Sequence, residues 1–495
     1  MAQIDVAQDR PPAFATAVVI GLGRSGVGAA RLLQAQGRAV CVLESKRSPA
    51  LEQRAEALRA AGIRVELDAP LSATTILSLA PGVGPVVVSP GIAWDHPELA
   101  SLRHAGLLVQ GELEPAWQAS RPLPWMAVTG TNGKTTVTHL LSHLLCGCGV
   151  DAPMAGNVGT SAAELVLERQ QSGRGLPHWL VVEMSSYQIE ACPRVSPRVG
   201  IWTTLTPDHL ERHGTLDNYR AIKRQLLERS DVRILNGDDP DLRQRAASWD
   251  HAVWVSAGPR QELAPGILPA LWIEDGRVWL EREGRSSAIL AADALAMPGA
   301  HNLQNMLLAV AAGLEAGLDG PAMEAALRRF PGVPHRLELI RRLDGISFYN
   351  DSKATNYDAA EVALQALEGP LVVLAGGQAK QGEAAGWIAA LQRQAPAVVL
   401  YGEARETFAE LLASQGYRGR MERCAGLDEA VPLAARLARQ HACQGVLLSP
   451  ACASFDQYSD LEASGDHFRS LVMELSARFA PRSVSGAWSR AAGVT

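Results

Sequence analysis

No apolar run in the 495 residues approaches the ~18 that a membrane-spanning helix requires, so no membrane insertion is expected. No long basic run is present and the formal net charge is −6, which argues against a nucleic-acid partner. Cysteine is sparse: there are seven, scattered along the chain. The nearest pair, Cys146 and Cys148, has one residue between them, and no His–Cys cluster has the spacing of a zinc site. This usage implies reduced thiols in a cytoplasm and no structural metal. The opening "MAQIDVAQDRPPA" has neither the basic end nor the apolar stretch of a signal peptide, and it and "PRSVSGAWSRAAGVT" read as loose tails. No short-period repeat or low-complexity tract occurs. What is present is an ordinary globular composition, 47% hydrophobic and 20% charged, in a chain too long for one core. Two to four domains are expected.

Three series of alternating strands and helices follow one another. In the first, "TAVVIGLG" is a strand ending in glycines, "SGVGAARLLQAQG" a helix stopped by Gly37, and "AVCVLES" and "GPVVVSPG" further strands. The prolines of "ASRPLPW" mark a linker. The second series has strands "HWLVVEMSS", "RVGIWTTLT" and "DVRILNGDD", then "ALWIEDGRVWLERE", which reads as a hairpin with an Asp-Gly turn. "HNLQNMLLAVAAGLEAG" is a strong helix, and "RRFPGVPHR" a second break. The third series contains "GISFYND", "PLVVLAGG", "AVVLYGE" and "GVLLSPA". The expected architecture is α/β with three domains: a Rossmann-like N-terminal domain (1–121), a central P-loop ATPase-type α/β domain with a small antiparallel excursion (122–332), and a Rossmann-like C-terminal domain (333–495).

Gly21-Leu22-Gly23-Arg24-Ser25-Gly26 fits G-x-G-x-x-G between a strand and a helix, and Glu44 ends the next strand where an acid can take a ribose hydroxyl. The physics requires only a diphosphate on a helix N-terminus beside bare backbone, so any nucleoside diphosphate compound would serve, a dinucleotide included. In "VTGTNGKTT" the strand–loop–helix order returns with Lys134 to neutralise phosphate and Thr135 to ligate magnesium. Val128 stands where the common P-loop has its first glycine, leaving the shorter Gly130-Thr131-Asn132-Gly133-Lys134-Thr135. Glu183 and His209 read as closing strands of the same domain, on the side where parallel strands open to ligands, and Glu183 is placed to hold a metal. Lys223, in "YRAIKRQLL", reads by itself as a solvated helix lysine. In the third series "YNDSKATN", "LAGGQAKQGE" and "SPACASFDQY" each follow a strand, and three such loops on one edge make a binding face for a charged small molecule.

"GTNGKTT", "EMSSYQIE", "TPDHLERHGT", "HNLQNMLLA", "HRLE", "NDSKATN" and "SPACASFDQY", in this order, resemble the Mur ligases, with the match running from about Val18 to about Arg469. "DSKATN" and "SPACASFDQ" look like the branch that adds D-glutamate, and the short phosphate loop is the family's own form. The resemblance implies an ATP-dependent amide ligase of peptidoglycan precursor synthesis, acting on UDP-N-acetylmuramoyl-L-alanine and D-glutamate through an acyl phosphate. It implies Mg2+ and a carbamylated lysine as cofactors, and a cytoplasmic enzyme, expected to be a monomer. Lys134, Glu183, His209 and Lys223 are the implied catalytic residues, with Thr135, Glu183, His209 and Lys223 (as carbamate) on the metals. The carbamate requires the chain from His209 to fold back through "ERHGTLDNY", with Gly214 as the turn. ATP would meet Gly130, Thr131, Asn132, Gly133, Lys134, Thr135, Thr136, Asn302, Asn305, Arg336 and Asp351. The UDP-substrate would meet Gly23, Arg24, Ser25, Gly26, Glu44, Ser45, Ser89, Pro90, Gly91 and Asn157. D-Glutamate would meet Thr355, Lys380 and Ser454. Three positions depart from the family text: Glu44 stands where Asp is expected, Leu461 where relatives can have an aromatic, and Lys380 lies in a loose copy of its loop. A folylpolyglutamate synthase would not need the first βα series, a slow nucleotide switch would not need the third, and a nicotinamide oxidoreductase rests on the first glycine motif alone.

Overall fold

The computed structural model describes residues 16–79, 82–260, 270–297, 299–378, 383–454, 456–458 and 461–475. The chain divides into two compact units that part between Phe330 and Pro331, within the break read at "RRFPGVPHR"; the short stretch Met297–Gly299 belongs to the second unit. Three sheets are distributed between them.

The first unit opens with β1 (Thr16–Ile20), β2 (Val40–Leu43), β3 (Arg64–Glu66), β4 (Val83–Val88) and β5 (Val109–Gly111). They form a wholly parallel sheet of order β3-β2-β1-β4-β5. Its strands are nearly continuous runs of Val, Ile and Leu because helices cover both faces, burying one cluster around Val19 and Val42 and another around Val18 and Val88. The order reverses between β1 and β4, and this switch point is where an open α/β sheet forms its ligand crevice.

The second sheet of this unit comprises β6 (Trp125–Thr129), β7 (Met154–Gly156), β8 (Leu180–Glu183), β9 (Val199–Trp202), β10 (Val232–Asn236), β11 (Ala252–Ser256), β12 (Ala270–Glu274), β13 (Arg277–Arg282) and β14 (Arg285–Ala291). The order is β14-β13-β12-β11-β10-β9-β6-β8-β7, parallel from β7 to β12 and antiparallel beyond. The hairpin read at the Asp-Gly turn is β12–β13: Asp275 and Gly276 both have positive φ, 49° and 69°. That handedness matches the twist of the flanking strands. A second such turn at Glu283-Gly284 adds β14. The first two sheets share a core. Leu32 of helix Arg24–Ala35 packs in one cluster with Trp125, Val166 and Trp202. Gly28 of that helix lies so close to the second sheet's layer that a Cβ there would stand 2.6 Å from Ser161 Oγ.

The second unit contains β15 (Glu338–Leu343), β16 (Ile346–Asn350), β17 (Leu371–Gly376), β18 (Ala397–Tyr401), β19 (Arg420–Cys424) and β20 (Gly445–Leu448), in the order β15-β16-β20-β17-β18-β19. All neighbours are parallel except β15–β16. Two buried clusters, one around Trp387 and Phe408 and one around Phe348 and Phe468, cover its faces. Among the described residues, no helix is long and apolar enough to cross a membrane.

Candidate active site

Strands β9, β6 and β8 are neighbours, and candidate site residues lie at or just beyond their ends. β6 is fully buried and delivers the loop Gly130–Gly133 to the start of helix Lys134–Gly147. Gly130 has φ +147°, and a Cβ there would lie 1.9 Å from Thr203 Oγ1. Gly133 has φ +83°, and a Cβ would lie 2.6 Å from Asn305 Oδ1. Both places therefore require glycine. The threonines that follow β9 frame the loop. Thr131 N donates to Thr204 O at 2.8 Å and Asn132 N to Thr204 Oγ1 at 2.9 Å, while Thr203 Oγ1 donates to Asn132 O. Thr131 Oγ1 accepts from Thr206 N at 3.0 Å. Lys134 Nζ bends back to Gly130 O at 3.0 Å and Thr131 O at 2.8 Å. Thr135 and Thr136 are buried in the first turn of the helix. Asn302 and Asn305 are buried in helix Ala300–Glu315, with Asn305 Nδ2 donating to Asn302 Oδ1 at 3.2 Å.

Lys223 is not the solvated lysine its local sequence suggests. It is 1% exposed. Helix Leu216–Glu228 buries Tyr219, Ile222, Lys223, Leu226 and Leu227 along one stripe, so the lysine lies inside the apolar face. The chain reaches this helix by folding back after His209: Gly214, at φ +76°, separates it from the short helix Leu210–His213. Lys223 Nζ donates to Gly130 O at 2.8 Å and lies 4.5 Å from the centre of the Tyr219 ring. Burial, and next the neighbouring charge of Lys134, hold its pKa well below the ordinary lysine value, against a smaller opposing pull from Asp208 and Glu183. The amine is therefore neutral far more readily than a surface lysine.

Glu183 closes β8 and is 2% exposed. Its Oε1 accepts from Asn157 Nδ2 at 2.9 Å, while Oε2 is buried with no partner among the described residues. An unpartnered buried carboxylate oxygen is costly, and a cation would remove the cost. His209, read as closing a strand, instead lies beyond the end of β9 at Trp202, where it precedes the short helix Leu210–His213. Its side chain is 45% exposed, 3.5 Å from Asp208 and 3.6 Å from Glu211, with its ring 5.3 Å from that of Tyr187. Among the described residues no group of three or more His, Cys, Asp and Glu side chains stands together as a metal cage. The hydroxyl of Thr135 and the carboxylate of Glu183 are oxygen donors of the kind magnesium takes beside nucleotide phosphates.

A cleft of about 250 Å³ lies in the same unit, between the first and second sheets, lined by residues that include Arg24, Ser25, Pro90, Asn157, Ser161 and Gln188. Gly26 sits tight on the turn, since a Cβ would meet Gly21 O at 2.0 Å. Gly23 caps helix Arg24–Ala35 with no side chain in the way, and Gly91 is also open. Ser89 Oγ, close to Gly21, is buried without a partner among the described residues. Glu44 uses both oxygens on backbone amides, accepting from Leu22 N at 2.9 Å and Lys46 N at 3.0 Å, and so staples the glycine turn; Ser45 beside it is exposed. Gln188 was not expected here. Its signal is the capping box of "SSYQ": Ser185 caps helix Ser186–Ala191 and the Gln188 side chain answers it. Thr203, Thr204 and Tyr219 were also not read as site residues; only their place beside strand ends marks them.

In the second unit, loops after β16, β17 and β20 converge, and these strands are neighbours. Ala451 N donates to Ala354 O at 2.9 Å, and Gln378 N to Ala453 O at 2.6 Å. Asp351 is buried, accepting from Leu337 N at 3.1 Å and Ser449 Oγ at 3.3 Å. Burial raises its pKa to about 7, with Arg336 pulling the other way. Arg336 has its Nε buried without a partner among the described residues. Thr355 is half-buried and Ser454 buried on the converging loops. Lys380 lies outside the described residues, as does the side chain of Leu461.

A glycine-rich loop opening a helix at the end of a parallel strand is the geometry of a nucleotide-dependent α/β enzyme. Residues 15–111 match the Mur ligase MurD-like N-terminal domain, residues 128–313 the Mur ligase middle domain, and residues 335–452 the Mur ligase glutamate ligase domain. The chain belongs to the Mur ligase family. A UDP-N-acetylmuramoylalanine–D-glutamate ligase of Prochlorococcus marinus (strain MIT 9313) is 55% identical over 464 residues, covering 93% of this chain and 99% of that relative. The ligase of the same name from Parasynechococcus marenigrum (strain WH8102) is 54% identical over 463 residues, with the same coverage. Among solved structures, the UDP-N-acetylmuramate–alanine ligase of Thermotoga maritima superposes with a TM-score of 0.55 at 19% identity, over 93% of this chain and 99% of that one. A Mycobacterium tuberculosis folylpolyglutamate synthase complexed with ADP and AMPPCP gives 0.51 at 18%, over 71% and 92%. These two establish a shared fold.

Proposed function

We propose that the chain joins D-glutamate to UDP-N-acetylmuramoyl-L-alanine, converting ATP to ADP and phosphate, in peptidoglycan precursor synthesis. The observation that carries the reading is identity above one half, along nearly the whole chain, with relatives bearing that activity in their names. A carboxylate does not react with an amine in neutral water, because its leaving group would be oxide. In the reading, a carboxylate oxygen of the substrate's L-alanine takes the γ-phosphoryl group and ADP leaves. The D-glutamate amine then attacks the acyl carbon, phosphate leaves with its bonding electrons, and the amine gives up a proton. Catalysis is mostly positioning and charge neutralisation.

In this reading Lys134 and the Gly130–Gly133 amides hold the ATP phosphates, with Thr131, Thr136, Asn302, Asn305, Arg336 and Asp351 completing the nucleotide site. Magnesium, when bound, offsets charge on the transferring phosphoryl group. Thr135 would hold a first ion, and His209 and Lys223 a second, with Glu183 on the metals. Lys223 joins as a carbamate: its neutral amine adds carbon dioxide and releases one proton, exchanging a buried cation for an anion. The strongly lowered pKa and the unpartnered Glu183 oxygen support this. The helix start at Gly23–Gly26, with Glu44, Ser45, Ser89, Pro90, Gly91 and Asn157, takes the UDP-linked substrate. Thr355, Lys380 and Ser454 take D-glutamate. The corresponding domains run 1–121, 122–332 and 333–495, in a cytoplasmic monomer. The test is phosphate release with ATP and UDP-N-acetylmuramoyl-L-alanine, comparing D-glutamate with L-glutamate, D-aspartate and meso-diaminopimelate. Release that does not prefer D-glutamate would overturn the reading.

A further inference from the structure

We infer that Glu112 is a positioning residue for the cleft: its carboxyl fixes the plane of the Gln188 amide, so that Gln188 meets the substrate's diphosphate as a hydrogen-bond donor. The inference rests on the substrate reading above and adds to it a residue that does not line the cleft.

Glu112 follows the last residue of β5 and caps helix Leu113–Ala119, where it is 3% exposed. Gln188 lies across from it, 2% exposed, yet it contributes to the wall of the cleft. A primary amide has one oxygen with two lone pairs and two N–H bonds. Gln188 Oε1 accepts from Ser185 N at 2.9 Å and from Ser185 Oγ at 3.0 Å, which uses both lone pairs. Nε2 donates to Glu112 Oε1 at 2.8 Å, which uses one N–H. Among the described residues, the part of the Gln188 amide left without a partner is its second N–H. Ser185 alone would let the amide hinge about its oxygen. The second anchor, at Glu112, stops the hinge and so sets the direction of the remaining N–H.

The company in the cleft agrees. Arg24 is a cation beside a helix N-terminus, and Ser25 and Ser161 carry hydroxyls. These groups suit an anion with many acceptor oxygens, such as a diphosphate. Stability alone gives a poor account of Glu112. Its Oε2 is buried with no partner among the described residues, and burial pushes its pKa up to about 7. A leucine would cost less in that place. What a leucine lacks is the acceptor for Gln188.

The test uses the full chain and initial rates with each substrate varied in turn, alongside melting curves. Glu112→Leu should raise KM for UDP-N-acetylmuramoyl-L-alanine about tenfold, the scale of one hydrogen bond to a charged ligand, with kcat and the other two KM values little changed. Glu112→Gln, which keeps an acceptor oxygen, should restore most of the loss. Gln188→Met should reproduce the rise, and the double variant should add nothing further. A folded Glu112→Leu with unchanged KM for the UDP-substrate, or single effects that multiply in the double variant, would overturn the inference. If Glu112→Leu does not fold, an unchanged KM in Gln188→Met overturns it equally. Failure of the wild type to ligate D-glutamate would instead strike the substrate reading.

Discussion

Lys223 and Lys134 converge on one oxygen: both ammonium nitrogens are within hydrogen-bond distance of Gly130 O, at 2.8 and 3.0 Å. Two full positive charges do not share a buried carbonyl comfortably, and burial together with the charge of Lys134 holds the pKa of Lys223, the more deeply buried, well below the ordinary lysine value, which favours its neutral form. That is the state in which an amine adds carbon dioxide. Lys223→Ala should therefore fold but be nearly inactive, and added acetate should restore part of the activity by filling the vacated anion position. Lys223→Arg should not be rescued, since its side chain fills the space and keeps its charge. Normal ligation by Lys223→Ala without any added anion would remove the carbamate from the mechanism.

Lys134 begins the helix behind the phosphate loop, and its carbonyl partners leave it folded over the place where phosphate oxygens would lie. Removing one such group from a preorganised site costs ~100-fold or more in turnover. Lys134→Ala should show that loss in kcat with a melting temperature close to wild type. Near-wild-type turnover would take the loop out of the reaction.

Glu112 makes stability depend on pH in a defined direction. Its carboxyl has a pKa of about 7 in the folded chain against 4.5 for the free group. A raised carboxyl pKa gives stability that is complete below 4.5 and is lost as the pH rises through 7, by at most ~3 kcal/mol for a shift of this size. Glu112→Gln does not titrate. Its melting temperature relative to wild type should therefore climb between pH 5 and pH 8. A constant difference across that range would show that Glu112 ionises as it does in the unfolded chain.

The buried parallel strands were legible because helices cover both their faces, which leaves uninterrupted apolar text such as "VVLAG" and "WMAVT". Most of what escaped lies at edges, although the interior strand β11, "AVWVS", was passed over too. β3 and β5 are three residues long, and β15 and β19 are polar strands on the two rims of their sheet, without apolar runs. The Asp344-Gly345 turn of β15–β16 has the same positive φ pair as the hairpin that was read, but its first strand, "ELIRRL", lacks a clean alternation. Lys223 was misread by residue type. Counting from Tyr219 in steps of three and four would have placed it among Ile222, Leu226 and Leu227, where a lysine is an anomaly that calls for chemistry. Gln188 and Glu112 could not be paired from the sequence, because 76 residues separate them and only the packing of β5 near the helix after β8 brings them together.

The cleft proposed for the UDP-linked substrate is lined only by residues of the first unit, and a separation of functions follows from that proposal. Arg24, Ser25, Pro90, Asn157, Ser161 and Gln188 all precede Phe330, and so do the first two sheets with the core they share. Asp351, Thr355 and Ser454 all follow it. A chain ending at Phe330 should therefore keep its affinity for UDP-N-acetylmuramoyl-L-alanine within a few-fold, measured by calorimetry, because no group that touches that ligand is lost. It should not ligate, because the loops proposed for D-glutamate are gone. Loss of binding by a truncated chain that melts cooperatively would mean that the second unit supplies part of the UDP-substrate site, and the assignment of one ligand to each sheet would have to be redrawn.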